Sequence, residues 1–431
     1  MKNDNFKFKR KMGEKKMKDK KLKLATARMK TIRKNSGVTL IALAVTIIVM
    51  LILAGVTMAT LTGDNGIISN ARKSANKSEE AKKEEKRKLA QGEAALNMSE
   101  TEYNGVTIPK GFAPTKIEGE DTIEKGLVIT DGKGNEYVWI EVPRTREVYG
   151  SCSLDITNFS EADYESIETA LRNYTRSAYG SDEDFNKFRD YYTGVTEEEL
   201  FKNGEDDYNN LKYKMLKSLY KNQGFWIGRY LAGKDVVGNT TETPQSKKDL
   251  YPYVNITVSQ AQRLAEEVSN GDYTSSLMFG IQYNLVAKFF ERKQQSIGKA
   301  NYANCKIKMN RGKYLRFSNW VVNENEVWKD YTENTDIVVD GNKKVCDYGY
   351  GCFFTTGASD ECQVLNIYDF FGNVKIFTLE QVWWWQRPTI IRGASAGITP
   401  WQSNIMDVCL SRELLPRGDY SYFTGFRVTL F

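Results

Sequence analysis

An uncharged apolar run near the start of the chain constrains its fold more than any other feature. Residues 38–63 contain no charged side chain, and residues 38–61 read VTLIALAVTIIVMLILAGVTMATL. As a helix, these residues would extend about 36 Å, which exceeds the roughly 30 Å of a bilayer's hydrocarbon core. A secretory signal would have a shorter apolar region followed by a small-residue cleavage site. The run therefore predicts a transmembrane helix over residues 38–63, with membrane contact through residues 38–61.

The residues before this run are strongly basic. Residues 1–37 contain 12 lysines and 3 arginines against 3 acidic residues, a net charge of +12, whereas the whole chain carries only +6. Basic residues beside an apolar helix favour the cytoplasmic face of a membrane. We therefore expect a single-pass protein of the bacterial cell membrane with an extracellular C-terminal domain. Nucleic acid is not expected as a partner.

The junction at residue 37 carries a recognisable motif. Basic residues end in Lys34-Asn35-Ser36-Gly37, and Val38 then opens the apolar run. This pattern resembles the leader of type IV prepilins. The resemblance implies prepilin peptidase as a partner and cleavage between Gly37 and Val38. It also implies poor fibre assembly, because Ala42 stands where pilins have a glutamate. An ordinary single-pass anchor is the alternative.

A polar helical stalk is expected after the apolar run. Gly63-Asp64-Asn65-Gly66 is a turn signal, and residues 67–98 lack proline and have acidic and basic residues four apart. The sequence thus predicts a basic leader over 1–37, a stalk over 64–104 and an outer domain over 105–431.

The outer domain reads as α+β. Residues 127–130 and 137–143 form a hairpin pattern, and residues 225–231 form a further strand. Residues 150–222 are acidic, rich in tyrosine and nearly free of proline, which indicates a helical insertion. Two amphipathic helices follow, one with Ser259 as N-cap and Gln262 completing a capping box, the other over residues 281–291.

The chain has no histidine. This excludes Ser-His-Asp triads, thiolates paired with histidine, and zinc, iron or haem sites that use imidazole. Most common enzyme designs are therefore impossible.

Several short motifs occur in an order that resembles the formylglycine-generating, sulfatase-modifying family. They are Phe225-Trp226-Ile227-Gly228-Arg229-Tyr230, Gly280-Ile281-Gln282-Tyr283, Asn366-Ile367-Tyr368-Asp369-Phe370-Phe371-Gly372-Asn373-Val374, Arg392-Gly393-Ala394-Ser395 and Gly425-Phe426-Arg427-Val428. The resemblance covers roughly residues 220–431. It implies a C-type-lectin-like fold, in which two helices pack on a small twisted sheet and the chain end returns as a central strand.

The catalytic residues of that family are missing. The resemblance implies two thiolates that bind copper soon after the Arg-Gly element, but no cysteine follows Arg392 before Cys409. One thiolate cannot provide a two-thiolate copper site. We therefore expect no enzyme activity, and a formylglycine-generating-type enzyme is the weakest alternative.

Cofactor signals are sparse. Cys346, Cys352 and Cys362 lie close together, which suggests one local disulfide without fixing the pairing. Asn373 matches a family position associated with calcium. A structural calcium ion is therefore possible at Asn373, although a turn asparagine is the simpler interpretation, and no other cofactor is expected.

The C-terminal segment has the composition of a binding surface. Residues 394–424 show no sustained period of 2 or 3.6, and they mix aromatic residues with small polar ones. With its prepilin-like anchor and sulfatase-modifying-like domain, the chain is similar to variable proteins of diversity-generating retroelements. That similarity implies a ligand-binding segment at 392–427, with Arg392, Gly393, Gly425, Phe426 and Arg427 as scaffold. The implied contact residues are Ala396, Ile398, Trp401, Gln402, Asn404, Asp407, Ser411, Glu413, Leu414, Arg417, Asp419, Tyr420 and Tyr422.

Three functions are consistent with these patterns. The first is a surface-displayed, adhesin- or receptor-like binding protein for an unknown surface protein or glycan. The second is a pilin or pseudopilin subunit. The third is a formylglycine-generating-type enzyme, which the lack of a second cysteine after Arg392 makes the weakest of the three.

Overall fold

A computed structural model describes the chain over residues 16–24, 43–53, 67–150, 154, 157–192, 200–235, 242–269, 271–296, 320–322, 328–330, 338–339, 342–347, 351–357, 363–370, 373–382, 389–393, 412–416, 418–419 and 424–431. The chain divides into two compact units, Met1–Lys82 and Lys83–Phe431. The leader junction at Gly37 and Val38 lies outside the described residues.

The transmembrane helix expected over residues 38–63 is wrong. Among the helices that the structure describes, none is both long enough and apolar enough to cross a bilayer. Within the expected span, the described helix covers residues 43–53, which would rise only about 16 Å. The single-pass location inferred from this span is contradicted with it.

The second unit is α+β, as the sequence predicts. Its α-helices are α1 (Ile67–Leu96, of which residues 83–96 belong to this unit), α2 (Arg146–Tyr149), α3 (Glu161–Tyr174), α4 (Asp182–Lys187), α5 (Glu205–Asn222), α6 (Val258–Glu266) and α7 (Gly280–Ser296). Short 3₁₀ turns lie at Ile123–Lys125 and Arg176–Ala178. Helices α3 to α5 lie where the helical insertion was expected.

The strands are short, and most pair with antiparallel neighbours. In chain order they are β1 (Thr101–Tyr103), β2 (Val106–Ile108), β3 (Phe112–Pro114), β4 (Val128–Asp131), β5 (Glu136–Glu141), β6 (Gly224–Gly228), β7 (Gly233–Lys234), β8 (Tyr251–Pro252), β9 (Ser275–Leu277), β10 (Trp320–Val322), β11 (Trp328–Asp330), β12 (Val338–Val339), β13 (Asn342–Asp347), β14 (Gly351–Phe354), β15 (Gln363–Val364), β16 (Ile367–Tyr368), β17 (Lys375–Gln381), β18 (Thr389–Arg392), β19 (Arg412–Leu415), β20 (Thr424–Gly425) and β21 (Val428–Leu430).

A six-stranded sheet forms the centre of the second unit. Its order is β3-β4-β5-β6-β21-β9, so the C-terminal strand β21 lies between β6 and β9. Residues such as Val138, Ile227 and Leu430 are fully buried. Strands β5 and β6 are buried along nearly their whole length and lack the polar alternation of a half-exposed sheet, because side chains on both faces are covered.

Helices α6 and α7 pack into this core. Thr257 is the N-cap of α6: its hydroxyl accepts a hydrogen bond from the amide of Gln260, and the Gln260 side chain accepts one from the amide of Thr257. The predicted cap at Ser259 is therefore wrong by two residues. Ser259 lies inside the helix, and Gln262 instead accepts a hydrogen bond from the amide of Leu277 at 3.1 Å.

The end of α1 is part of the second unit and is not a free stalk. Ala90 and Ala94, one helical turn apart, are buried. Arg87 reaches Glu120 at 2.6 Å and Glu136 at 2.8 Å. Arg229, from just beyond β6, binds the same two carboxylates at 2.9 and 3.1 Å. Residues 83–96 are therefore held by packing and by a buried ionic cluster.

Candidate functional site

A four-stranded sheet holds the described parts of residues 392–427. Its order is β19-β18-β17-β20, with β17 and β20 parallel. Arg392 lies opposite both Arg412 and Ile376, and Thr424 lies opposite Lys375. The chain therefore leaves the sheet after Arg392, re-enters it at Arg412 and re-enters it again at Thr424, all at one end of the sheet.

A buried carboxylate joins the first two of these points. Glu380 of β17 accepts a hydrogen bond at 2.8 Å from Nη1 of Arg392, and another at 2.8 Å from Nε of Arg412. Asn284 of α7 accepts from the same two guanidinium groups, at 2.8 and 3.3 Å. The two ends of residues 393–411 are thus tied to one carboxylate and one amide.

The electrostatics favour the ionised form of Glu380. Burial alone would raise its pKa, but the charges and hydrogen bonds of Arg412 and Arg392 outweigh burial and lower it. Aromatic rings lie against the arginines: Tyr283 lies 4.2 Å from the Arg392 guanidinium, and Tyr179 lies 4.2 Å from that of Arg412. Such contacts stabilise a cation that has lost its water.

A second buried group fixes the end of the segment. Phe426 is fully buried and its ring lies 5.7 Å from that of Tyr253. Arg427 donates to the carbonyl of Gly228 at 2.7 Å and to the carbonyl of Tyr368. Burial lowers the pKa of Arg427 to about 10, which leaves it charged at neutral pH. The residues after Thr424 are therefore part of the core.

The structure describes three of the thirteen expected contact residues. Glu413 is exposed on β19 and its carboxylate lies 2.5 Å from Nζ of Lys375. Leu414 is half-buried against a small cluster that contains Tyr179 and Phe188, so it contributes to packing. Asp419 is exposed. The residues that lie outside the described ranges are Ala396, Ile398, Trp401, Gln402, Asn404, Asp407, Ser411, Arg417, Tyr420 and Tyr422.

Asn373 has the geometry of a turn residue. Its φ of 67° is left-handed, a conformation that asparagine tolerates, and its side chain is fully buried. Within the described ranges, no group of three or more cysteine, aspartate or glutamate side chains could hold a metal ion. Cys346 and Cys352 lie directly opposite each other on β13 and β14. Cys362 lies outside the described residues.

Sequence reasoning missed Asp190, which belongs to the helical insertion. Its carboxylate accepts hydrogen bonds from the amides of Gly280 and Ile281, at 2.7 and 2.9 Å, and so caps α7. Burial, together with the nearby carboxylates of Glu380 and Glu168, raises the pKa of Asp190 to about 7. Asp190 therefore connects the insertion to the helix that supplies Asn284.

Sequence reasoning also missed Glu380 and Asn284. Glu380 is the one acidic residue in the apolar run Ile376-Phe377-Thr378-Leu379-Glu380-Gln381-Val382, and such a residue needs a buried partner. That signal was available, but the identity of the partners depended on the fold.

Comparison of the chain with protein-family models, with curated proteins and with solved structures finds no match.

Proposed function

We propose that the protein is a non-enzymatic ligand-binding protein in which residues 392–427 recognise the ligand. The buried connection of Arg392 and Arg412 through Glu380 carries the proposal. A binding segment whose ends are fixed loses less conformational freedom when its ligand binds. A frame with several buried charges also holds its geometry while exposed positions change.

The composition of the segment supports the same function. Trp401, Tyr420 and Tyr422 provide large rigid rings, and serine, asparagine and glycine surround them. Binding surfaces of this kind use the rings for contact area and the small polar residues for adaptable hydrogen bonds. We expect Trp401 and Tyr420 to contribute most of the affinity, because aromatic anchors dominate interface energetics.

The proposed ligand is a protein or a glycan. The similarity to variable proteins of diversity-generating retroelements supports this class of function, since their contact positions occupy the corresponding segment. The lack of a cysteine pair after Arg392 supports binding without catalysis. The C-type-lectin-like fold remains part of this proposal.

A selection experiment can test the proposal without knowledge of the natural ligand. The twelve contact positions other than Leu414, whose side chain contributes to packing, would be randomised in the full chain. The library would be selected for binding to lysozyme. We expect binders whose unfolding temperature stays close to that of the starting protein, because the buried frame does not change.

The matched control randomises twelve exposed positions of helix α1 within residues 68–89. This control library should yield no lysozyme binders, since these positions lie outside the proposed binding segment. Equal success of the two libraries, or loss of folding throughout the first library, would contradict the proposed function.

A further inference from the structure

A concave surface lies beside helices α5 and α6. It is a groove of about 1050 Å³, lined by residues 200–202, by the first turns of α5 and by the end of α6. Ser269, Gly271, Tyr273, Thr274 and Ser275, the first residue of β9, complete the lining. None of its lining residues belongs to the segment 392–427. Small-molecule sites commonly have volumes of about 300 to 1,000 Å³, so the groove can hold more than one sugar-sized ring.

Basic side chains line one part of the groove. Lys202 and Lys214 are exposed, and neither forms an ion pair within the described part of the chain. The charge of Lys202 helps to lower the pKa of the nearby Asp207. Arg263 of α6 adds a third cation. Three cations lining one concavity attract an anionic group, and an exposed lysine that has no ion pair can bind it without first losing an internal partner.

Acidic side chains line the same groove and retain acceptor capacity. Asp207 accepts both its hydrogen bonds from Asn203, at 2.9 and 3.1 Å, and these bonds lower its pKa. Oε1 of Glu266 accepts from Gln262 at 2.8 Å, and Oε2 has no partner among the described residues. Because a carboxylate can accept about four hydrogen bonds, both groups can still accept from a ligand.

The presence of both basic and acidic side chains in the groove favours one class of ligand over others. A ligand with only acidic groups would be repelled by Asp207 and Glu266, and a neutral sugar would leave the lysines unused. A sugar acid can use both kinds of side chain, since its hydroxyls donate to the carboxylates and its own carboxylate pairs with a lysine. Tyr273 adds a half-buried ring whose hydroxyl donates to the carbonyl of Val268 at 3.0 Å and can still accept.

We propose that the groove binds a short uronic-acid oligosaccharide, with Lys202 and Lys214 recognising carboxylate groups and Asp207 and Glu266 recognising hydroxyls. The site is separate from the binding segment at 392–427, and it does not depend on the function proposed for that segment.

Calorimetric titration of the full chain with three probes tests this inference. The probes are trigalacturonic acid, neutral galactotriose, and triglutamate as an acid without hydroxyl groups. We expect trigalacturonic acid to bind at least tenfold more tightly than either of the others, because only this probe uses both kinds of side chain. Absent binding of trigalacturonic acid, or equal binding of any other probe, overturns the inference.

Variants locate the site. Lys214→Gln should weaken binding of trigalacturonic acid about tenfold, and Glu266→Gln should weaken it several-fold. Lys221→Gln is the control, since Lys221 is exposed on the same helix but does not line the groove. If Lys214→Gln and Lys221→Gln bind equally well with unchanged unfolding temperatures, the groove is not the site.

Discussion

The Glu380 carboxylate lies 2.8 Å from the Arg392 guanidinium, and both side chains are at most 1% exposed. Arg412 binds the other oxygen of Glu380 at the same distance. Two cations and one anion are thus removed from water together. Such a cluster adds little net stability over an apolar replacement, but loss of its only carboxylate leaves buried charges without compensation.

Glu380→Gln should therefore destabilise the protein severely. The change leaves Arg392 and Arg412 buried beside each other without their shared counter-ion, and breaking such a buried pair costs about 3 to 5 kcal/mol. Urea unfolding measures the loss. Glu413→Gln is the matched control in the same sheet: Glu413 is 47% exposed where it pairs with Lys375, so its loss should cost at most about 1 kcal/mol. Equal costs would show that Glu380 is not the centre of the frame.

Two glycines of the candidate segment should respond oppositely to alanine. A Cβ at Gly425 would lie 2.7 Å from the carbonyl oxygen of Tyr253, a backbone atom that cannot move aside freely. We expect Gly425→Ala to cost about 1 to 3 kcal/mol. A Cβ at Gly418 would meet no atom of the described residues within 4 Å, so Gly418→Ala should change stability by at most about 0.5 kcal/mol. Chemical denaturation of both variants makes the comparison, and a costly Gly418→Ala beside a harmless Gly425→Ala would reverse the assignment of buried and exposed positions.

Asp190 should make stability fall as pH rises. Its pKa is raised to about 7 in the folded protein, whereas an aspartate in an unfolded chain titrates near pH 4. The folded state therefore holds this proton more tightly. The contribution of Asp190 to the free energy of unfolding is fully present below about pH 4. It is lost as pH rises to about 7, at up to about 1.4 kcal/mol per pH unit.

The measurement for Asp190 is the free energy of unfolding between pH 4 and 7. Asp190→Asn removes this titration, so the variant should show a smaller loss of stability over that range than the wild type. Its absolute stability should be lower at acidic pH, since the amide cannot accept from both Gly280 and Ile281 in the same way. Parallel pH profiles for the two proteins would refute the assignment.

The protein should not convert a sulfatase-type cysteine. Cys409 is the only cysteine after Arg392, and the chain has no histidine to complete another metal site. After incubation of the full chain with copper, oxygen and a Cys-x-Pro-x-Arg peptide, mass spectrometry should find the peptide unchanged. Formation of the formylglycine aldehyde would contradict the non-enzymatic function.

Local patterns were sufficient to locate several elements but not their connections. The hairpin of β4 and β5 and the helices α6 and α7 follow from periodicity. The N-cap of α6 could not be located from the sequence, because Thr257-x-x-Gln260 and Ser259-x-x-Gln262 fit the capping-box motif equally well. A tertiary contact decides between the two caps, because the Gln262 side chain accepts a hydrogen bond from the backbone amide of Leu277 in β9.

The other errors have different physical causes. Hydropathy reports only the composition of residues 38–63. Among the helices that the structure describes, none is both long enough and apolar enough to cross a bilayer, so the transmembrane prediction was wrong. The roles of Asp190 and Asn284 depend on contacts between residues about 90 to 130 apart in the chain. Such contacts leave no local signal. For the C-terminal segment, the resemblance implied Arg392 as a scaffold residue but gave no sign of Glu380, the carboxylate that joins Arg392 to Arg412.

Residues 392–427 are proposed to combine a buried frame with exposed binding positions. Unfolding free energies of Phe426→Ala, Trp401→Ala and Tyr420→Ala test this proposal most directly. Phe426 is fully buried, so its truncation should cost about 3 to 5 kcal/mol. The changes at Trp401 and Tyr420 should each cost at most about 0.5 kcal/mol, as surface substitutions do. If Trp401→Ala and Tyr420→Ala unfold the protein while Phe426→Ala leaves it stable, the buried and exposed positions of the segment are assigned the wrong way round. The proposed binding surface would then be wrong.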